Sequence, residues 1–112
     1  MEAKVRELVV GMAIICVAGV ALAQPKGAAP DAANGQAIAE RWCQDCHIVA
    51  EGQNAATDNA PSFPKLAADP ARSEEYLRAF LLAPRHPMPP LELSAEQIED
   101  VLAYFGALRD AQ

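Results

Sequence analysis

Cys43-Gln44-Asp45-Cys46-His47 decides how this chain is read. Two thiols separated by two residues, with an imidazole directly behind the second, form the attachment pattern of a c-type haem. The spacing has a chemical reason. On one helical turn the two sulfurs face the same way, so each can add to one vinyl group of a single porphyrin, and the next residue points its ring at the iron. Two blander readings compete. A disulfide or thioredoxin-type pair suits an oxidising compartment, yet it leaves His47 without a role and needs a helix–strand alternation that the chain lacks. Zinc needs four ligands in a closed site, and His86 with scattered carboxylates is a poor complement to two thiolates.

Upstream, residues 8–22 are almost wholly apolar behind Lys4 and Arg6, and Ala21-Leu22-Ala23 supplies the small-x-small pattern of a secretory cleavage site. The expectation is a signal peptide over residues 1–23, cleaved before Gln24, with secretion to the periplasm. An uncleaved anchor is the alternative, but the apolar run falls short of the roughly 20 residues a spanning helix needs. Cys16 does not read as a lipid-attachment site, because Ile14 and Ile15 stand where small residues are wanted. Cleavage leaves only Cys43 and Cys46, both inside the haem pattern.

The 112-residue chain has a formal net charge of -6, and removal of the leader leaves it unchanged, since Lys4 and Arg6 balance Glu2 and Glu7. Nucleic acid is therefore not expected as a partner, because its binding rests on cationic contacts to phosphate.

Residues 24–30, with Pro25, Gly27 and Pro30 among small residues, read as a flexible linker, and the folded domain is expected over residues 31–112. Asp31 is placed to cap a helix running into Cys43. Gly35 in its first turns reads either as a point of close helix approach or as a frayed turn. Residues 49–61 are polar and aperiodic, hence a loop. Pro64 opens one short helical turn that ends at Asp69-Pro70. Ser73 caps a helix through Ala83, with Tyr76, Leu77, Phe80 and Leu81 on one stripe. Ser94-Ala95-Glu96-Gln97 is a capping box, followed by Ile98, Val101, Leu102, Phe105 and Leu108 at helical spacing. Nothing after the leader alternates as a strand. The predicted class is all-α, with three main helices and a short helical turn wrapped around one covalent haem, which fills an otherwise thin core.

Between the last two helices, Pro84, Pro87, Pro89 and Pro90 surround His86 and Met88. Each proline fixes its own φ and restricts the residue before it, so the loop is stiff. Met88 is the only methionine outside the leader, and its proline-held, apolar setting suits a thioether aimed at iron. His86, two residues away, is the competing ligand.

With the haem motif early and the methionine loop late, the chain resembles a small class I cytochrome c of the bacterial periplasmic kind over residues 31–109. The order differs from that of the four-helix class II cytochromes, whose haem motif lies near the carboxyl end. The resemblance implies that Gly35 on the first helix meets Val101 and Tyr104 on the last. It implies also that the carbonyl of Pro61 accepts a hydrogen bond from His47, and that Met88 in Met-Pro is the sixth ligand. Ala60 stands where many members have glycine. Trp42 abuts Cys43 and leaves the haem propionates without an assigned aromatic donor, so Gln53, Asn54 and Thr57 are the substitutes. The acidic balance departs from the basic mitochondrial relatives.

The function expected is single-electron transfer by one six-coordinate haem c, with Cys43, Cys46, His47, Met88 and Pro61 as cofactor-binding residues and no enzymatic turnover. A periplasmic dehydrogenase or membrane respiratory complex would donate the electron and an oxidase or reductase accept it. The protein is expected as a monomer, without stable membrane insertion once the leader is removed. A five-coordinate haem sensor and a dedicated subunit of a dehydrogenase complex are the alternatives.

Overall fold

Each helix in the computed structural model begins at a side chain that accepts the backbone donors left over at a helix start. Asp31 accepts from the N–H groups of Ala33 and Asn34 and opens α1, Ala32–Trp42. Ser62 accepts from Lys65 and opens the short α2, Phe63–Ala68. Ser73 does the same for α3, Glu74–Leu82, and Ser94 with Gln97 forms a reciprocal capping box at the head of α4, Ala95–Asp110. The short helix therefore starts one residue earlier than its proline suggested. Pro64 sits inside the first turn, where its missing N–H costs nothing.

The structure describes Gly19 and residues 29–56 and 59–112. The leader, its cleavage site, most of the linker and Thr57 lie outside the described residues. Among the described residues there is no strand, and no helix is long and apolar enough to cross a membrane.

The core is built where α1 lies on α4. A methyl group on Gly35 would stand 1.9 Å from the carbonyl oxygen of Asp100 and 3.0 Å from Cβ of Tyr104. Close approach, not fraying, is what the glycine provides. Asp100 grips the same turn with its side chain: Oδ1 accepts the N–H of Asp31 at 2.8 Å and Oδ2 accepts from the amide of Asn34 at 2.7 Å. Below this contact Ile38, Ala39, Val101, Leu102, Tyr104 and Phe105 are buried together. Burial of each large side chain contributes roughly 1.5–3 kcal/mol.

The remaining helices are fastened to α4 on other faces. Phe63 of α2 stacks on Phe105, with ring centroids 4.5 Å apart, and Arg109 donates to the carbonyl of Ala67 at 2.9 Å. From α3, Leu77 and Leu81 enter the core, and Arg78 bridges Glu74 and Glu99 at 2.7 and 2.6 Å. That ion pair is substantially solvated and contributes little to stability. The apolar stripe expected on α3 divides in two. Leu77 and Leu81 are buried, whereas Tyr76 stacks on Phe80 and stays 37% exposed beneath the guanidinium of Arg72. A helix of nine residues offers α4 only one narrow face.

Candidate haem-attachment site

The last turn of α1 does not stop at its cap. Cys43 is the C-cap, and its carbonyl accepts the N–H groups of both Cys46 and His47, at 3.2 and 2.9 Å. One carbonyl thus gathers the second thiol and the imidazole around the first. Cys43 is buried, Cys46 and His47 half-buried. The two cysteines are not joined in a disulfide. Burial, and secondarily the neighbouring Cys46, pushes the Cys43 thiol up to about 11. A thiol so placed is neutral at ordinary pH and is a poor thiolate nucleophile or thiolate metal ligand. Among the described residues, no group of three or more histidine, cysteine or acidic side chains is arranged to hold a metal ion.

His47 is held through its ring. Nδ1 lies 2.6 Å from the carbonyl oxygen of Pro61. A carbonyl only accepts, so Nδ1 carries the proton and donates, and Nε2 keeps the lone pair that a metal requires. The loop reaches that position because Phe63 donates its N–H to the carbonyl of Ile48 at 2.9 Å, just before α2 begins. The Phe63 ring meets the imidazole edge-on at 5.5 Å. Behind it stand Phe105, and Tyr104, whose hydroxyl donates to the carbonyl of Val49 at 2.5 Å. Spacing along the chain did not single out Phe63 or the Tyr104 hydroxyl as supports of His47. The one available signal was the position of Phe63, two residues after Pro61.

In the proline-rich loop, Met88 is half-buried and packs against the core cluster, whereas His86 is exposed. The N–H of Met88 donates to the carbonyl of Arg85 at 3.0 Å, closing a turn in which the His86–Pro87 peptide is cis. The same loop comes back alongside the end of α1: Trp42, 55% exposed, lines one cleft with Pro90, Leu91 and Glu92. Residues more than forty positions apart in the chain, the neighbour of Cys43 and the loop bearing Met88, are thereby brought together.

Of the side chains considered for the propionates, Gln53 is already engaged. Its amide bonds to the backbone of Gln44, His47, Val49 and Ala55. Asn54 is exposed, and Thr57 lies outside the described residues.

Two thiols gathered on one turn and an imidazole whose Nδ1 is engaged by Pro61, leaving Nε2 as the metal-facing nitrogen, make a donor set that fits a covalently attached haem. An all-helical domain built around such a set is a c-type cytochrome. Residues 30–105 match the family model described as cytochrome c oxidase, cbb3-type, subunit III. The chain is also 43% identical over 96 residues to cytochrome c-552 of Bradyrhizobium diazoefficiens, an alignment covering 86% of this chain and 92% of that one. No solved structure gives a significant match. The chain belongs to this family of c-type cytochromes; it is a haem c protein of electron transport.

Proposed function

We propose that the protein is a single-electron carrier of the periplasm, with Cys43 and Cys46 in thioether bonds to one haem and with His47 and Met88 as its axial ligands. The observation that carries this reading is the 2.6 Å contact from His47 Nδ1 to the Pro61 carbonyl, which leaves Nε2 available to iron. The bound haem supplies a one-electron Fe(II)/Fe(III) couple whose potential a thioether ligand raises. Pro61 fixes the plane and basicity of the imidazole. The stiff proline loop and its partial burial against the core would hold Met88 in place as the thioether ligand. If His47 and Met88 both bound the iron, no position would be left open for a substrate, as suits a carrier rather than an enzyme or a five-coordinate sensor.

The family description, that of an oxidase subunit, supports a second reading as a dedicated subunit. The name of the relative cytochrome c-552, which aligns over 92% of its own length, carries no subunit designation and is compatible with a carrier. Co-purification with an oxidase or dehydrogenase would separate the two.

The test is intact mass under denaturing conditions combined with a visible spectrum. Secreted material is expected to begin at Gln24 and to carry one haem that denaturant does not release, with the spectrum of a six-coordinate low-spin iron. A mass equal to the bare polypeptide would sink the proposal.

The net charge of -6 also sets an expectation for partners. A redox partner with a basic surface would be steered to this protein, and electron-transfer encounters use small interfaces. Reduction by the cation hexaammineruthenium(II) should slow as salt rises through ~0.1 M, where the screening length falls to about 10 Å. A rate indifferent to salt would point instead to an apolar contact at the haem edge.

A further inference from the structure

The carbonyls of Gln44 and His47 lie beyond the last residue of α1, where the helix supplies no further donors. One side chain serves them both. The amide nitrogen of Gln53 donates to Gln44 O at 2.8 Å and to His47 O at 2.7 Å, and reaches Ala55 O at 3.2 Å. Its amide oxygen accepts the N–H of Val49 at 2.9 Å. Two amide hydrogens shared over three carbonyls use both donors of the glutamine side chain, and its oxygen uses one of its two acceptor positions. The chain can present Gln53 in this way because it turns sharply just before: Gln53 N–H reaches Ala50 O at 3.4 Å across Gly52, whose φ of +84° favours glycine.

We propose that Gln53 is a positioning residue for His47. Its amide fixes the backbone of residues 44–49 just past the end of α1, and so sets where the imidazole stands before Pro61 sets how it is rotated. Backbone and ring are then held by two independent tethers, one from Gln53 and one from Pro61. The inference rests on the reading of His47 as an axial ligand.

Two substitutions in the ferric holoprotein separate the functions of the amide. Gln53→Met keeps the length of the side chain and loses every hydrogen bond, whereas Gln53→Glu keeps the acceptor for Val49 and loses the donors. Hydrogen exchange at the Val49 amide reads the acceptor. The spread of the paramagnetically shifted haem-methyl resonances reads the orientation of the axial imidazole. Val49 exchange is expected to rise on the order of tenfold in Gln53→Met and to stay near wild type in Gln53→Glu, while the methyl pattern changes in both. Asn54→Ala, at an exposed neighbour, should move neither readout. If Gln53→Met does not accumulate as holoprotein, Gly52→Ala strains the turn while keeping the amide, and should change the methyl pattern in the same sense but less. A methyl pattern unchanged in the Gln53 variants, with Val49 protection lost in Gln53→Met, would reduce Gln53 to a loop staple and overturn the proposal. A wild-type spectrum without axial-imidazole shifts would overturn the ligand reading itself, and with it this inference, before any variant is made.

Discussion

Replacing Met88 with alanine is expected to lower the reduction potential by a few tenths of a volt, a sizeable part of the ~0.8 V span that axial ligands cover. The sign follows from the donor. A soft thioether stabilises Fe(II) relative to Fe(III), so its loss favours the oxidised protein. Partial burial of Met88 against the core, contrasted with the exposure of His86, is the reason to place the effect at residue 88. His86→Ala should leave the potential within about 60 mV, a tenfold change in the redox ratio. Potentiometric titration of the two variants decides the matter. A large shift in His86→Ala with none in Met88→Ala would replace the methionine by a histidine ligand and make the protein a low-potential bis-histidine cytochrome.

Gly35→Ala is expected to remove about 2–4 kcal/mol of stability. Helix propensity alone predicts the opposite sign, a gain of about 1 kcal/mol for alanine in a helix. Packing wins because the new methyl group would meet the Asp100 carbonyl oxygen at 1.9 Å and its carbon at 2.5 Å, and neither is the far end of a flexible side chain. The helices must part, at a cost of roughly 1–3 kcal/mol for overpacking. Parting them also pulls the Asp100 carboxylate away from Asp31 and Asn34, each hydrogen bond contributing about 1 kcal/mol. Gly106, also helical but with nothing within 4 Å of an added Cβ, is the matching control, and Gly106→Ala should stabilise. Chemical denaturation of the two holoproteins measures both signs. A Gly35→Ala midpoint at or above wild type would show that α1 and α4 do not meet as described.

The contrast between these two glycines separates what was legible in the chain from what was not. Local chemistry was legible: Asp31, Ser73 and Ser94 announced three of the helix starts because a cap and its donors lie within three residues of each other. The haem pattern was legible for the same reason, since both thiols and the imidazole occupy one turn. Family resemblance supplied pairings that spacing cannot reach, and the structure shows Gly35 against Tyr104 and Pro61 against His47.

The amino-acid sequence by itself determined the all-helical class, the four helical segments and the haem chemistry, each from residues that act on neighbours a turn or less away. Only the tertiary structure decided that Gln53 serves the backbone of residues 44–49, that Asp100 pins the start of α1, and that Tyr104 reaches the carbonyl of Val49. It also placed Tyr76 on the outside of a stripe that looked uniform. The physical reason is common to all four. A hydrogen bond or buried face between distant residues depends on the direction in which a loop returns and on how closely two helices approach, and neither is written in the spacing of residues along one element.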